Sequence, residues 1–260
     1  RLMKVLTPSK DRVEPKCPVA RQCGGCQIQE MRYEAQLAFK QKMVQNNLER
    51  IGGLSDFEMY PVIGMETPYA YRNKAQFPVG EDKDGNIVIG FYAGRTHHIV
   101  EQTDCCIGAP ENGEVLRKVK AYMQKNQIRP YNEEHHSGIV RHILIRTGYH
   151  TKEIMVCLIV NAAKASCLKN AEQLTESLRE MDGMTSVMVN FNTEKTNVIL
   201  GKKSEVLWGQ PYIEDFIGNV KYQIGPLSFF QVNPTQTKVL YEKAMEYADL
   251  KGEETVWDLY

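Results

Sequence analysis

The sequence has no surplus of either charge: 32 lysines and arginines stand against 32 aspartates and glutamates, a formal sum of +0. That balance excludes a histone-like or ribosomal type of basic protein but leaves room for a local basic face. There is no long apolar run, no signal-peptide core at the start, no low-complexity tract and no internal repeat. A membrane span, a secretory leader and a solenoid are therefore not expected, and the chain reads as a soluble, cytoplasmic protein. Its 7 cysteines are an odd number for 260 residues and do not read as a secreted disulfide framework, so a metal site or a reactive thiol is the better expectation. The length suffices for two domains.

What is present is organised around the stretch 17–26, Cys-Pro-Val-Ala-Arg-Gln-Cys-Gly-Gly-Cys, which places Cys17, Cys23 and Cys26 within one short loop. A fourth thiol is available at Cys105 or Cys106. Four thiolates suit an iron-sulfur cluster or a structural zinc, with a redox disulfide or buried free thiols as the bland alternative. Gly24 and Gly25 are expected to take positive φ and let the backbone wrap closely.

Helical spacing of Tyr33, Leu37, Val44, Leu48 and Ile51 before Gly52-Gly53 predicts a helix over about 30–51. Residues 71–79 and 87–92 alternate about a polar turn and predict a hairpin, with Arg72, Lys74 and Gln76 on one face as a cationic strip suited to phosphate or extruded bases. A third strand near 95–100 leads to Cys105, and a helix through Val115, Leu116, Val119 and Met123 follows. His97 and His98 read as surface or packing residues. Strands are expected at 139–146 and 153–160, with Cys157 in the core, then a helix through Leu174 and Leu178, and strands at 186–192 and 197–201. The chain is expected to leave this unit near Gly209. An elbow, Pro226-Leu227-Ser228-Phe229-Phe230-Gln231-Val232-Asn233-Pro234, precedes a helix through Val239, Leu240, Ala244 and Tyr247, and 255–260 reads as the start of a buried strand.

Together these residues resemble the iron-sulfur-containing uridine-5 RNA methyltransferases, which make 5-methyluridine in transfer RNA and 23S ribosomal RNA. The resemblance rests on Arg12-Val13-Glu14-Pro15, the cysteine loop with Gln27, Tyr71-Arg72-Asn73-Lys74, Asp104-Cys105, Phe229-Phe230-Gln231-Val232-Asn233 and Asp258-Leu259-Tyr260, all in order. It implies a 4Fe-4S cluster on Cys17, Cys23, Cys26 and Cys105, with Cys106 in a variable place. It implies S-adenosylmethionine as cofactor, touched by Gln231 and Tyr260, with Phe229 lining the pocket of a flipped uracil and Arg72 and Lys74 meeting RNA. The implied fold is an α+β middle domain bearing the N-terminal cysteine loop, followed by the start of an α/β Rossmann-like methyltransferase domain. Its divisions fall at 1–15, the end of a TRAM-like β-barrel; 16–213, the iron-sulfur and central RNA-binding domain; and 214–260.

In that family a cysteine thiolate adds to uracil C6, the methyl is taken at C5, and a base removes the C5 proton. No residue here is assigned to either role, since both are expected beyond Tyr260. This chain alone is expected to transfer no methyl group, and residues from about Asp215 onward are expected to pack poorly. The implied partner is RNA, 23S ribosomal ahead of transfer RNA, with no membrane and no obligatory protein partner. A zinc-stabilised RNA-binding module and a ferredoxin-like electron carrier are the rival readings.

Overall fold

A computed structural model describes residues 4–259. Its centre is a seven-stranded sheet in the order β3-β2-β1-β4-β5-β6-β7. The strands are β1 (Lys74–Glu81), β2 (Ile87–Tyr92), β3 (Ile99–Glu101), β4 (Val140–Thr147), β5 (Ile154–Val160), β6 (Met184–Phe191) and β7 (Lys203–Gly209). All pairings are antiparallel except β5 with β6, which run parallel across the helix α3 (Ala171–Arg179).

The central strands are apolar on both faces because both are covered. In β4 and β5, Ile143, Ile145, Val156 and Leu158 point to a core shared with α2 (Asn112–Lys125) and α3, as period-two alternation requires. Leu144, Met155, Cys157 and Ile159 point the other way, onto a small second sheet of β8 (Ile213–Ile217) and β9 (Val220–Ile224) and onto Phe230 of the elbow. Each fully buried aliphatic side chain contributes on the order of 1.5–3 kcal/mol. The last helix, α4 (Pro234–Ala248), is capped by Asn233, whose side chain accepts from the Gln236 N–H. No helix among the described residues is long and apolar enough to cross a membrane.

Several expectations are corrected. The first helix, α1, runs over Tyr33–Asn46 and loosens into a π turn at Asn47–Ile51, and none of its residues is buried. Val44 and Ile51 are exposed, so their spacing marks an unburied stripe. The left-handed residue at its end is Gly53, while Gly52 stays right-handed. Residues 197–201 form no strand. The buried amides of Asn190 and Asn192 bond the carbonyls of Gly201, Val198 and Ile199, and Arg141 binds those of Asn192, Glu194 and Thr196, so side chains take the bonds a ladder would have used. The β8–β9 hairpin was not anticipated: Asp215 is buried and accepts the backbone N–H groups of Tyr149 and His150, while beyond it β9 is exposed up to Ile224 and α4 buries only Pro234 and Thr237, in line with the expected poor packing. No strand forms over 255–259, because these residues find no partner ladder among the described residues and lie exposed.

Candidate nucleic-acid interface and cysteine loop

The cysteine loop is pinned to the sheet through backbone. Cys23 bridges Ala93, and the Gly24 N–H donates to the Tyr92 carbonyl at 2.9 Å. A β-carbon at Gly24 would stand 2.9 Å from that oxygen, so Gly24 is there for close approach. Neither Gly24 nor Gly25 takes positive φ, contrary to expectation.

Cys17, Cys23, Cys26, Cys105 and Cys106 gather in one region. Burial first, and then the neighbouring thiols, push Cys23, Cys26 and Cys106 above the ordinary thiol range. Donors are aimed at the sulfurs: Gln102 Nε2 at Cys17 Sγ (3.5 Å), the Gly25 N–H at Cys23 Sγ (3.3 Å) and Gln29 Nε2 at Cys106 Sγ (3.6 Å). Donors of this kind stabilise thiolates over thiols. Among the described residues no three His, Cys, Asp or Glu side chains close round a point to hold one metal ion. A cubane presents a separate iron to each thiolate, so its ligands stand further apart than those of one zinc. The open, amide-supported thiol set fits a cluster in its donor chemistry.

Two motifs distant in sequence meet beside this loop. Asn73 Nδ2 donates to the Gln231 carbonyl at 3.0 Å, and the Asn73 N–H donates to the Val232 carbonyl at 3.0 Å. The elbow is held from its other end by Arg146, 3% exposed, whose Nη2 donates to the carbonyls of Pro226 and Ser228. Burial lowers Arg146 to about 10. Arg146 escaped the sequence reading except as a strand residue. A signal was available, since an arginine closing the apolar run Ile143-Leu144-Ile145 needs acceptors that the strand itself cannot offer. Held at both ends, the elbow buries Phe230 and projects Phe229, which is 85% exposed.

Arg72 lies just before β1, where its Nε donates to the Lys74 carbonyl at 3.1 Å. Lys74 and Gln76 do alternate against buried Ala75 and Phe77, but the strip is half-buried. Burial, and then Arg146 and Arg72, lower the Lys74 ammonium from its ordinary value. Arg72, Lys74 and Arg146 thus form a cationic cluster whose members repel one another, a condition that a bound phosphate relieves.

Arg72 also lines a cleft of about 370 Å³ between the cysteine loop, α1 and the start of α4. Tyr33, Tyr69 and Tyr71 supply ring surface, Lys40 a second cation, and Cys26, Asn233 and Gln236 link the loop to the elbow; no carboxylate lines it. Of the residues expected in a site, Cys17, Cys23, Cys26, Cys105, Arg72, Lys74, Phe229 and Gln231 fall in this region of the fold, whereas Tyr260 lies outside the described residues.

No protein-family profile matches the chain. A protein of Clostridium tetani described as an uncharacterized RNA methyltransferase is 48% identical over 261 aligned residues, spanning 100% of this chain and 56% of its own length. Proteins with the same description from Halalkalibacterium halodurans and Caldanaerobacter subterraneus are 48% and 42% identical. The chain thus spans about half the length of the curated relatives it matches. In structure it resembles the Pyrococcus abyssi tRNA (uracil-54, C5)-methyltransferase solved with S-adenosyl-L-homocysteine, with a TM-score of 0.72 and 27% identity over 94% of this chain and 53% of that one. In sequence and in fold alike, the chain is therefore similar, over about half of their length, to proteins described as RNA methyltransferases.

Proposed function

We propose that this chain is the RNA-facing and cofactor-facing part of an S-adenosylmethionine-dependent enzyme that methylates C5 of a uridine in RNA. The observation that supports it best is the clasp of Asn73 on Gln231 and Val232, which draws the cationic strand start and the projecting Phe229 together beside the cysteine loop. The divisions proposed are 1–15 for the end of a β-barrel, 16–213 for the iron-sulfur and RNA-binding unit, and 214–260 for the beginning of the methyltransferase unit.

Each side chain has a role in this reading. Arg72 and Lys74 hold phosphate, and Phe229 offers its face to an extruded uracil; a stacked base is worth about 1–3 kcal/mol. Gln231, its backbone fixed by Asn73, contacts S-adenosylmethionine, which supplies the methyl group. Cys17, Cys23, Cys26 and Cys105 hold a 4Fe-4S cluster. Of the three cysteines outside that set none is assigned to attack C6: Cys106 directly follows the ligand Cys105, and burial pushes its thiol up. Cys157 is wholly buried, its thiol pushed up to about 12, and Cys167 packs against the core on the helix side of the sheet. The nucleophile and base therefore come from outside these residues, and this chain alone transfers no methyl.

The test incubates the whole protein and this chain with labelled S-adenosylmethionine and either 23S ribosomal or transfer RNA, then maps 5-methyluridine. Label at uridine C5 with the whole protein only is the expected result. Methylation by this chain alone, or at another atom, would overturn the assignment.

A further inference from the structure

The second face of the sheet is covered unevenly. Over β4, β5 and β6 it lies under the β8–β9 hairpin and Phe230. Toward β2 the same face, carrying Val88, Tyr92 and His142 by alternation, opens into a cleft of about 610 Å³. Its walls are the turn after β1, the segment before β3 and the loop around Glu133.

At the floor His142 is only 6% exposed. Its ring meets Tyr92 edge-on at 6.5 Å. It makes no hydrogen bond among the described residues, and its Nδ1 is fully buried without a partner. Burial, and then Arg141, lower His142 to about 4, so near neutral pH it is an uncharged acceptor. The rim carries Glu81, Asp82, Asp84, Glu133 and Glu134, of which Glu133 meets His97 Nδ1 at 2.7 Å and accepts from the Tyr92 hydroxyl, and Asp82 accepts from Asn86, so Glu81, Asp84 and Glu134 carry the unshared charge. The cations there are fewer, and one is committed: Arg141 donates to the carbonyls of Asn192 and Glu194 and lies over the Tyr131 ring at 4.5 Å. Lys83 is the other permanent cation of the lining.

We infer that this cleft binds an aliphatic ammonium cation, carried on a polyamine or on a lysine-rich peptide. The carboxylates supply attraction, the Tyr92 ring a face for the cation, and His142 an acceptor that does not repel it. The same carboxylates repel phosphate, so RNA is not the occupant. The cleft runs along this face from the turn after β1 to Tyr92, and neither Arg72 nor Lys74 lines it.

The experiment is calorimetric titration of the whole protein with spermidine and, separately, with an acetylated hexalysine amide. Saturable binding of either probe at one site per chain is expected, weakened roughly tenfold in the double variant Glu133→Gln/Glu134→Gln, whose exposed positions leave the fold intact. His142→Phe, checked by thermal unfolding, should weaken it roughly threefold by removing the acceptor. Spermidine alone binding identifies a polyamine site, and the peptide alone a lysine-rich partner segment. Absence of saturable binding, equal affinity in the double variant, or an RNA oligonucleotide whose binding is lost in that variant would overturn the inference.

Discussion

The two clefts, one beside the cysteine loop and one on the second face of the sheet, contain similar parts and opposite charge. The one beside the cysteine loop is lined by Arg72, Lys40 and three tyrosines without a carboxylate. The one on the sheet's second face has two tyrosines, three histidines and five carboxylates. Over the whole chain these charges cancel to +0, so composition alone conceals both sites. The two linings adjoin at Tyr92, where the cysteine loop is pinned, so what distinguishes the clefts is the sign of the charge on their walls.

Four outcomes would break or sharpen that contrast. The largest effect is expected at the cysteine loop. Protein purified without oxygen should be brown with about four irons per chain, and Cys105→Ser should bleach it while Cys106→Ser should not. Bound zinc, or the reverse behaviour of the two variants, would remove the cluster from the anionic-ligand side of the comparison.

Next in size is the double change of Arg72 and Lys74 to alanine. It should lower the salt slope of RNA binding by roughly one to two units, on the counterion-release relation for single strands. An unchanged slope would return the strip to the role of a wet sheet face.

The acid-lined cleft makes a pH prediction. His142 is depressed in the folded state to about 4 from an ordinary 6.5. Its contribution is complete above the unfolded value and declines as pH falls from there toward 4, by about 2 kcal/mol at pH 5. Replacing it with glutamine should flatten the denaturation midpoint between pH 7 and 5, measured at both. If the slope persists, the charge buried on acidification belongs to another group.

The smallest effect expected is that of Asn73→Ala, about 1 kcal/mol of stability through the lost bond to the Gln231 carbonyl. Cofactor affinity of the whole protein should fall by more than that stability change accounts for, because the Gln231 carbonyl then loses its side-chain anchor and the elbow keeps only the Asn73 N–H on Val232 and the Arg146 bonds to Pro226 and Ser228. An unaltered affinity would separate the elbow from the cofactor.

The sequence alone determined the elements whose signals are local. Alternation placed β1 and β2, and continuous apolar runs placed β4 and β5, because covered strands need apolar residues on both faces. The cysteine spacing and the ordered motifs named Cys17, Cys23, Cys26, Arg72, Asn73 and Gln231, which the fold gathers in one region, but not Arg146, Lys40 or Tyr69. Tertiary structure decided what depends on partners distant in the chain. The stripe of α1 is regular but unburied, since only the segment 62–65 lies against Tyr33 and Leu37 while Val44 and Ile51 stay exposed. Residues 197–201 have strand-like composition, but the Asn190 and Asn192 amides take the carbonyls of Gly201, Val198 and Ile199. The β8–β9 hairpin and the acid-lined cleft were illegible for the same reason: each exists only because a seven-stranded sheet offers a face that is covered at one end and open at the other.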